Sequence, residues 1–433
     1  MREMKDSGIE WIAHIPSSWT TDRMKYLFAN GKGLSITKEN LVETGLPVIS
    51  YGQIHSKSNS GTDIKDELLR FVDFQYQTNY PQCEVFQYDF VFADTSEDYD
   101  GCGNCVYKRD SSLLFGGYHA IILHSLVKRD NRYFAYLFKT DSWRKQLREV
   151  ASGVKLFSIT QKVLMNSSVI IPPEDEQKAI SDYLDSRCTE LDTIISDIQS
   201  QIEALEEYKR SVITEAVTKG LDPDVEMRDS GIDAFELIPK HWEVLKIKWL
   251  LRERNERSVL GEEEPLSMSQ KFGIIPTSQM DIIPNMASSF VGAKITHIDD
   301  LVFNKLKAHL GVFAVSKYYG LVSPDYAVYF TSGKSIVKYL EFLFKTENCI
   351  SEFKRRSTGV GAGLTRLYTS DLFDIKVPIP PISEQMEIAK HLDCKISEIN
   401  LAISEKQQQI ETIEEYKKSL IFEYVTGKKE VQA

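Results

Sequence analysis

The segment VIIPPEDEQKAISDYLD at Val169–Asp185 returns about two hundred residues later as VPIPPISEQMEIAKHLD at Val377–Asp393. Each copy runs on without a gap, into EALEEYKRSVITEAVTKG and ETIEEYKKSLIFEYVTGK. A second matched pair lies upstream, KDSGIEWIAHIPSSW at Lys5–Trp19 and RDSGIDAFELIPKHW at Arg228–Trp242. The order is head, variable stretch, helix, and then the same again. The heads are offset by 223 residues (Lys5 to Arg228) and the later segments by 208 (Val169 to Val377). The second variable stretch is therefore about 15 residues shorter. A fixed-order duplication of this kind predicts one structural unit built twice.

The later segment of each copy reads as a long helix. Asp175 and Ser383 occupy the same repeat position, and both residue types cap helix N-termini. Glu176 and Glu384 follow in the first turn, where the helix dipole favours negative charge. Paired prolines just before fit backbone that is not yet helical. Apolar residues then fall at Leu184, Cys188, Leu191, Ile195, Ile198, Ile202, Leu205, Val212 and Ala216, and in the second copy at Leu392, Ile396, Ile399, Ile403, Ile410, Ile413 and Leu420. This spacing is a heptad seam. Lys406 interrupts the second seam at the position of Ile198. Each helix spans about 40 residues, or ~60 Å, and an apolar stripe that long needs a partner helix. The other copy is always present, and internal two-fold symmetry makes the pairing antiparallel.

The variable stretches, residues ~20–168 and ~243–376, share little identity. Both hold short β-branched and aromatic runs (CEVFQYDFVFA, HAIILHS, YAVYF) between Gly-rich and polar turns, which predicts mixed α/β domains with substantial sheet. The 433-residue chain is 42% hydrophobic and 27% charged, the composition of an ordinary globular protein. It has no apolar run near ~20 residues and no signal-peptide core at MREMKDSGIEW, so a cytoplasmic protein is expected. The six cysteines are scattered. Cys102 and Cys105 form a single Cys-x-x-Cys with no second pair, which fits reduced thiols beside a turn better than a zinc site.

Catalytic signatures are missing. Gly-Lys-Ser in TSGKSI does not complete a phosphate-binding loop, no Gly-x-Gly-x-x-Gly opens a helix, and there is no His-Glu-x-x-His or Asn-Pro-Pro-Tyr. FADTSEDYDG gathers Asp94, Glu97, Asp98 and Asp100, a set that a metal-dependent nuclease would use but that reads more simply as a turn. The polar, glycine-punctuated loops are better candidates. They carry Tyr51, Gln53, His55 and Lys57; Tyr118 and His119; Lys155, Ser158, Thr160 and Gln161; Lys305, Lys307 and His309; and Lys354, Arg355, Arg356, Thr365, Arg366 and Tyr368. Such side chains on turn-rich backbone suit phosphate contact and base-edge readout. The net charge of −11 argues against an autonomous nucleic-acid binder, unless a partner supplies much of the neutralisation.

The heads DSGIEWIAHIPSSW and DSGIDAFELIP, the junctions IPPEDEQ and IPPISEQ, and the endings EEYKRSVITEAVTKG and EEYKKSLIFEYVTGK together resemble the specificity subunit of Type I restriction–modification systems. The resemblance spans the whole chain. It implies an α+β fold, with two mixed α/β target-recognition domains separated by two long antiparallel coiled-coil helices in an internal pseudo-two-fold repeat. Residues 1–168 and 221–376 would be the target-recognition domains with their repeated heads. Residues 169–220 would form the first spacer helix, and residues 377–433 the second helix with a C-terminal tail. Each domain would read one half of a bipartite, asymmetric site in double-stranded DNA. The helices would set the spacer and dock two methyltransferase subunits, which hold the S-adenosylmethionine and methylate adenine. In that family two restriction–translocase subunits can join to cut unmethylated DNA, and whether they accompany this chain is left open by its sequence. The chain itself would be non-catalytic, with no cofactor or metal of its own and no membrane. A nuclease using Asp94, Glu97 and Asp98, and a scaffold that never meets DNA, are the alternatives from other classes.

Overall fold

A computed structural model of the chain describes residues 2–59, 62–151, 156–269, 272–280, 289–359 and 365–431. The chain divides into two compact units, one of Met1–Ile198 with Gln408–Ala433 and the other of Gln199–Gln407. Both long helices, Glu174–Lys219 and Ile382–Val425, contribute to both units. Among the described residues no helix is long and apolar enough to cross a membrane.

The repeated motifs are the joints of the fold. Asp-Ser-Gly makes a bulge in the first strand of each head. The Asp6 carboxylate accepts from the Gly8 amide at 2.9 Å and the Asp229 carboxylate from Gly231 at 2.8 Å, with both glycines at positive φ. The bulged strand Met4–Ile9 pairs antiparallel with Ile12–Pro16, and Met227–Ile232 with Phe235–Pro239. The head tryptophan then reaches the start of a long helix. Trp19 Nε1 donates to the Glu176 carboxylate at 2.9 Å, and Trp242 Nε1 donates to Glu384 at 3.0 Å. The adjacent glutamine folds back over the proline pair, with Gln177 Nε2 donating to the Pro172 carbonyl and Gln385 Nε2 to that of Pro380. Glutamate and glutamine thus recur together because one holds the head and the other holds the helix entry.

The end of the other long helix comes to the same tryptophan. Gly427 and Gly220, both at positive φ, terminate the helices. A Cβ at Gly427 would collide with Pro16 and press on Trp19, and one at Gly220 would press on Glu384 and Trp242. Tyr133 Oη donates to the Val425 carbonyl at 2.8 Å and Tyr339 Oη to the Val217 carbonyl at 3.1 Å, filling acceptors that a helix C-terminus leaves open. Within each unit the start of one long helix therefore lies beside the end of the other, so the pair runs antiparallel.

Cross-helix contacts agree. In the first unit Lys417 Nζ donates to Asp192 at 2.6 Å and the Tyr183 and Tyr424 rings lie 4.5 Å apart. In the second, Lys406 Nζ donates to Gln201 Oε1 at 2.5 Å and Lys209 Nζ to Asn400 Oδ1 at 3.1 Å. Every seam residue named from the sequence is buried or half-buried. Lys406 is tolerated because its stem lies along the seam while its ammonium ends on a glutamine amide at the edge.

The two variable stretches build the same central sheet from dissimilar sequences. In the first unit the strand order is Cys105–Tyr107, Phe90–Ala93, Ala120–Ser125, Phe28–Lys32. In the second it is Phe313–Val315, Leu301–Asn304, Tyr326–Thr331, Leu251–Glu253. All the pairings in both sheets are antiparallel. Two short helices follow in each, Arg132–Leu137 and Asp141–Arg148 in the first, Val337–Phe344 and Glu347–Arg356 in the second. They bury aromatic cores around Phe90, Phe138 and Trp143 in the first unit and around Phe303, Phe313 and Phe353 in the second. The first unit adds a mixed sheet of Phe115–Gly116, Leu46–Ile49, Arg70–Val72 and Leu41–Val42. The second unit carries instead two strand pairs, Leu266–Ser269 with Gly273–Pro276 and Lys294–Thr296 with Gly320–Val322.

Lys139, at the turn between the two short helices of the first unit, gives a measurable pH dependence. Burial, and after it the positive charges of Arg144 and Lys417 against an opposing pull from Cys105, lowers its ammonium to about 8. Between about 8 and the ordinary lysine value the unfolded chain holds a proton that the folded chain has released. Stability therefore rises with pH across that window. Lys139→Met is expected to remove this rise and to stabilise the first unit at pH 7 by up to about 3 kcal/mol. The measurement is the difference between wild-type and variant thermal-unfolding curves from pH 7 to 10.5. Parallel curves would refute the assignment.

Candidate nucleic-acid interface

In the first unit three distant loops converge. The short helix Tyr51–Ile54 is capped at Ser50, whose backbone N–H donates to Gln53 Oε1 at 3.2 Å. The same serine clamps the Gly116–His119 loop: the Tyr118 amide donates to Ser50 Oγ at 3.0 Å and the Tyr51 amide to the Tyr118 carbonyl at 3.1 Å. Gly117 has to be glycine, since a Cβ there would occupy the position of Ser50 Oγ. The rings of Tyr51, Tyr118 and His119 consequently pack edge to face, with Tyr51 5.6 Å from His119 and Tyr118 4.1 Å from it.

The third loop is the one rich in acids. Asp94 follows the central strand Phe90–Ala93, and its Oδ1 takes His119 Nδ1 at 2.7 Å and the Thr95 hydroxyl at 2.8 Å. His55 Nε2 donates to the Thr95 carbonyl at 2.8 Å, and its Nδ1 accepts from Asn104 Nδ2 at 2.9 Å. Asp98 accepts from the Gly101 amide at 2.5 Å and closes a turn. Asp94 and Asp98 are thus committed to histidine, hydroxyl and amide partners. Among the described residues no group of three His, Cys, Asp or Glu is placed to hold a metal. Burial raises the Cys102 and Cys105 thiols, Cys105 to about 11.

The segment ahead of the first long helix joins this cluster through Ser158, whose strand Phe157–Ser158 pairs with Thr95–Ser96. Thr160 and Gln161 have structural roles here. Thr160 Oγ1 caps the helix Gln161–Asn166, and Gln161 is tied to Asn30 at 2.8 Å and to the Gly31 carbonyl at 3.1 Å. Lys57 is exposed beyond the Tyr51–Ile54 helix. Lys155 lies outside the described residues.

The second unit assembles a different, cationic set. The Leu367 amide donates to the Lys305 carbonyl at 2.9 Å, which brings strand Thr365–Arg366 against the Lys305–His309 loop. His309 Nδ1 lies 3.4 Å from Thr365 Oγ1. The Arg366 guanidinium sits 5.9 Å from the Tyr368 ring centroid and donates to Asp325 at 2.7 Å, while its buried Nε has no hydrogen-bond partner among the described residues. Burial, then the charges of Lys294 and Arg366, holds the Lys305 ammonium below its usual range. An anion placed there would relieve that repulsion. Lys307 and Lys354 are exposed. Arg355 and Arg356 share the Glu352 carboxylate at 2.8 and 3.2 Å, so they are partly neutralised within the protein.

The residues missed in the sequence are those that hold the others, Thr95 and Asn104 in the first unit and Asp325 in the second, while Asp94 stood out only as one acid of its loop. No local motif marks the partner that each of them takes. Exposed aromatics were also missed, although the repeat offsets locate them. Tyr26 and Trp249 stand at equivalent positions 61% and 55% exposed, beside Lys25 and Lys248, and Tyr208 and Tyr416 are equivalent and exposed in the long helices.

Comparison with known proteins gives consistent results. The family described as Type I restriction modification DNA specificity domain matches residues 16–204 and 239–412. A putative type I restriction enzyme MjaX specificity subunit from Methanocaldococcus jannaschii is 25% identical over 427 residues, covering 96% of this chain and 95% of that protein. The type I restriction enzyme MjaVIII specificity subunit of the same organism is 24% identical over 336 residues, covering 73% of this chain and 76% of that one. A chain from a solved structure describing complex assembly and conformational transition of the type I R-M system superposes with a TM-score of 0.66 at 14% identity, covering 95% of this chain and 99% of its own.

Proposed function

Because the chain belongs to the Type I restriction modification DNA specificity family, we propose that it is the DNA-reading subunit of a Type I restriction–modification complex, each unit reading one half of a bipartite site. The observation that carries this is the contrast between frame and contents. Head, proline junction and helix ends repeat contact for contact, whereas the loops they present differ in length, charge and partners. A frame conserved within the chain serves something the units share, and dissimilar loops serve something they do not. Polar and cationic side chains on those loops suit base edges and phosphates.

The shared element is the docking of partner subunits. Tyr26 with Trp249, and Tyr208 with Tyr416, keep equivalent exposed positions that the fold itself does not need, and aromatics of this kind anchor interfaces. This supports two methyltransferase subunits, one to each unit, with S-adenosylmethionine held by them, and two restriction–translocase subunits in the full complex. Methyl transfer and cleavage belong to those partners, and this chain selects where they act. The test is to map methylated adenines in cells carrying the chain and its methyltransferase partner. A single bipartite motif, lost when the chain is deleted, is expected. Methylation that persists without the chain would overturn the reading.

A further inference from the structure

We infer that His119 is a base-reading residue of the first unit, presenting a hydrogen-bond acceptor to the exocyclic amine of one base, with Asp94 as the residue that fixes this polarity. The inference rests on the DNA-reading function proposed above and adds the atom and its sign.

The argument begins with the backbone. His119 has φ of +54°, a left-handed conformation that a side chain other than glycine adopts with strain. The strain is held from both sides, by the Asp94 amide donating to the His119 carbonyl at 3.1 Å and by the Ser50 clamp on the preceding residue. Packing does not require this arrangement, since the His119 side chain remains 36% exposed. The fold therefore spends conformational strain on pointing an imidazole outward.

Its tautomer follows from chemistry. Asp94 Oδ1 is a carboxylate oxygen that already accepts the Thr95 hydroxyl proton, and it can only accept. The imidazole proton therefore sits on Nδ1, 2.7 Å away. Nε2 is left with its lone pair outward, and no described residue hydrogen-bonds to it. His55 is the contrasting case. Both its ring nitrogens are satisfied internally, and it supports Thr95 without reading anything. An outward acceptor fixed between Tyr51 and Tyr118 matches a donor on a base edge. That donor is adenine N6 or cytosine N4 in the major groove, or guanine N2 in the minor groove.

The test uses the full chain assembled with its methyltransferase partner, and duplexes carrying its mapped motif. Three base analogues are placed singly across the half-site of the first unit: purine for adenine, 2-pyrimidinone for cytosine and hypoxanthine for guanine, each lacking the amine. One substitution is expected to weaken wild-type binding by roughly three- to tenfold, the worth of a single hydrogen bond, and to leave His119→Ala binding unchanged. Which analogue responds identifies the base and the groove. His119→Ala should still discriminate bases at the other positions of the first half-site, which shows that the first unit folds. Asp94→Asn supplies an amide N–H to Nδ1, moving the imidazole proton to Nε2. It should change the preferred base at that one position, an outcome that a merely structural Asp94 would not give. If no analogue distinguishes wild type from His119→Ala, the inference fails while the specificity-subunit reading stands. If the wild-type complex binds the motif duplex no better than a duplex of unrelated sequence, that reading fails as well.

Discussion

Replacing residues 20–168 with the corresponding segment of another family member is expected to change one half of the methylated motif completely and to leave the other half untouched. The exchange keeps Trp19 and Glu176, and with them the joint between head and helix. It also keeps Gln177 and the proline pair over which it folds. Among the contacts that cross the seams of the exchange, two recur in both units. Tyr133 Oη reaches the Val425 carbonyl, and Arg132 bridges Asp182 at 2.8 Å and Asp185 at 2.5 Å. The second unit reproduces both, with Tyr339 on Val217 and Lys338 3.5 Å from Asp393. A donor segment should therefore carry a basic residue followed by tyrosine at these positions. One lacking them leaves a buried helix-end carbonyl and two carboxylates unmatched, and low activity would then report docking and not reading. With a matched donor, the readout is the motif found by adenine-methylation sequencing. A change in both halves at once would show that the units do not read separately.

The basic–tyrosine pair also shows what the sequence conceals. Heads, junctions and seams were legible because each is written in one short stretch of chain. The Asp-Ser-Gly bulge, the Glu-Gln after paired prolines and the heptad stripe each show a pattern within a few turns, and the duplication wrote each one twice. Arg132–Tyr133 and Lys338–Tyr339 perform an equally repeated task, but they lie inside stretches whose neighbours have diverged, so two matching residues carry no visible signal. The common sheet order was hidden for the same reason, since any apolar, β-branched strand can fill a given place in it. At the candidate interface, chemistry was legible and assembly was not. Tyr51, His55, Tyr118 and His119 stood out as polar or aromatic residues on turns. That Asp94 would orient His119 depends on strand Phe90–Ala93 lying beside Ala120–Ser125, a pairing no local pattern specifies. Thr160 and Gln161 carried the same polar signal but were used to cap and tether a helix.

Adding one heptad to both long helices is expected to lengthen the interval between the two half-sites by roughly three base pairs without altering either half-site. The antiparallel register read from Asp192 with Lys417 and from Gln201 with Lys406 indicates where to insert. Seven residues placed after Ile198 and seven after Gln407 face each other and keep both apolar stripes in phase. Each helix then grows by ~10 Å, at about 1.5 Å per residue. DNA rises about 3.4 Å per base pair, which gives the three-base-pair expectation if the helix pair sets the spacer. Three base pairs also turn the second half-site by about 100°, at roughly 10.5 base pairs per turn. Activity should therefore fall even where the new spacer is the preferred one. Lengthening only one helix is the control. It leaves seven residues unpaired, puts Lys406 and Lys417 out of reach of Gln201 or Asp192, and should reduce methylation at every spacer. The discriminating measurement is the spacer preference of the doubly extended chain on a library of duplexes with fixed half-sites and variable intervals. A doubly extended chain that remains active and still prefers the original interval would show that these helices do not set it.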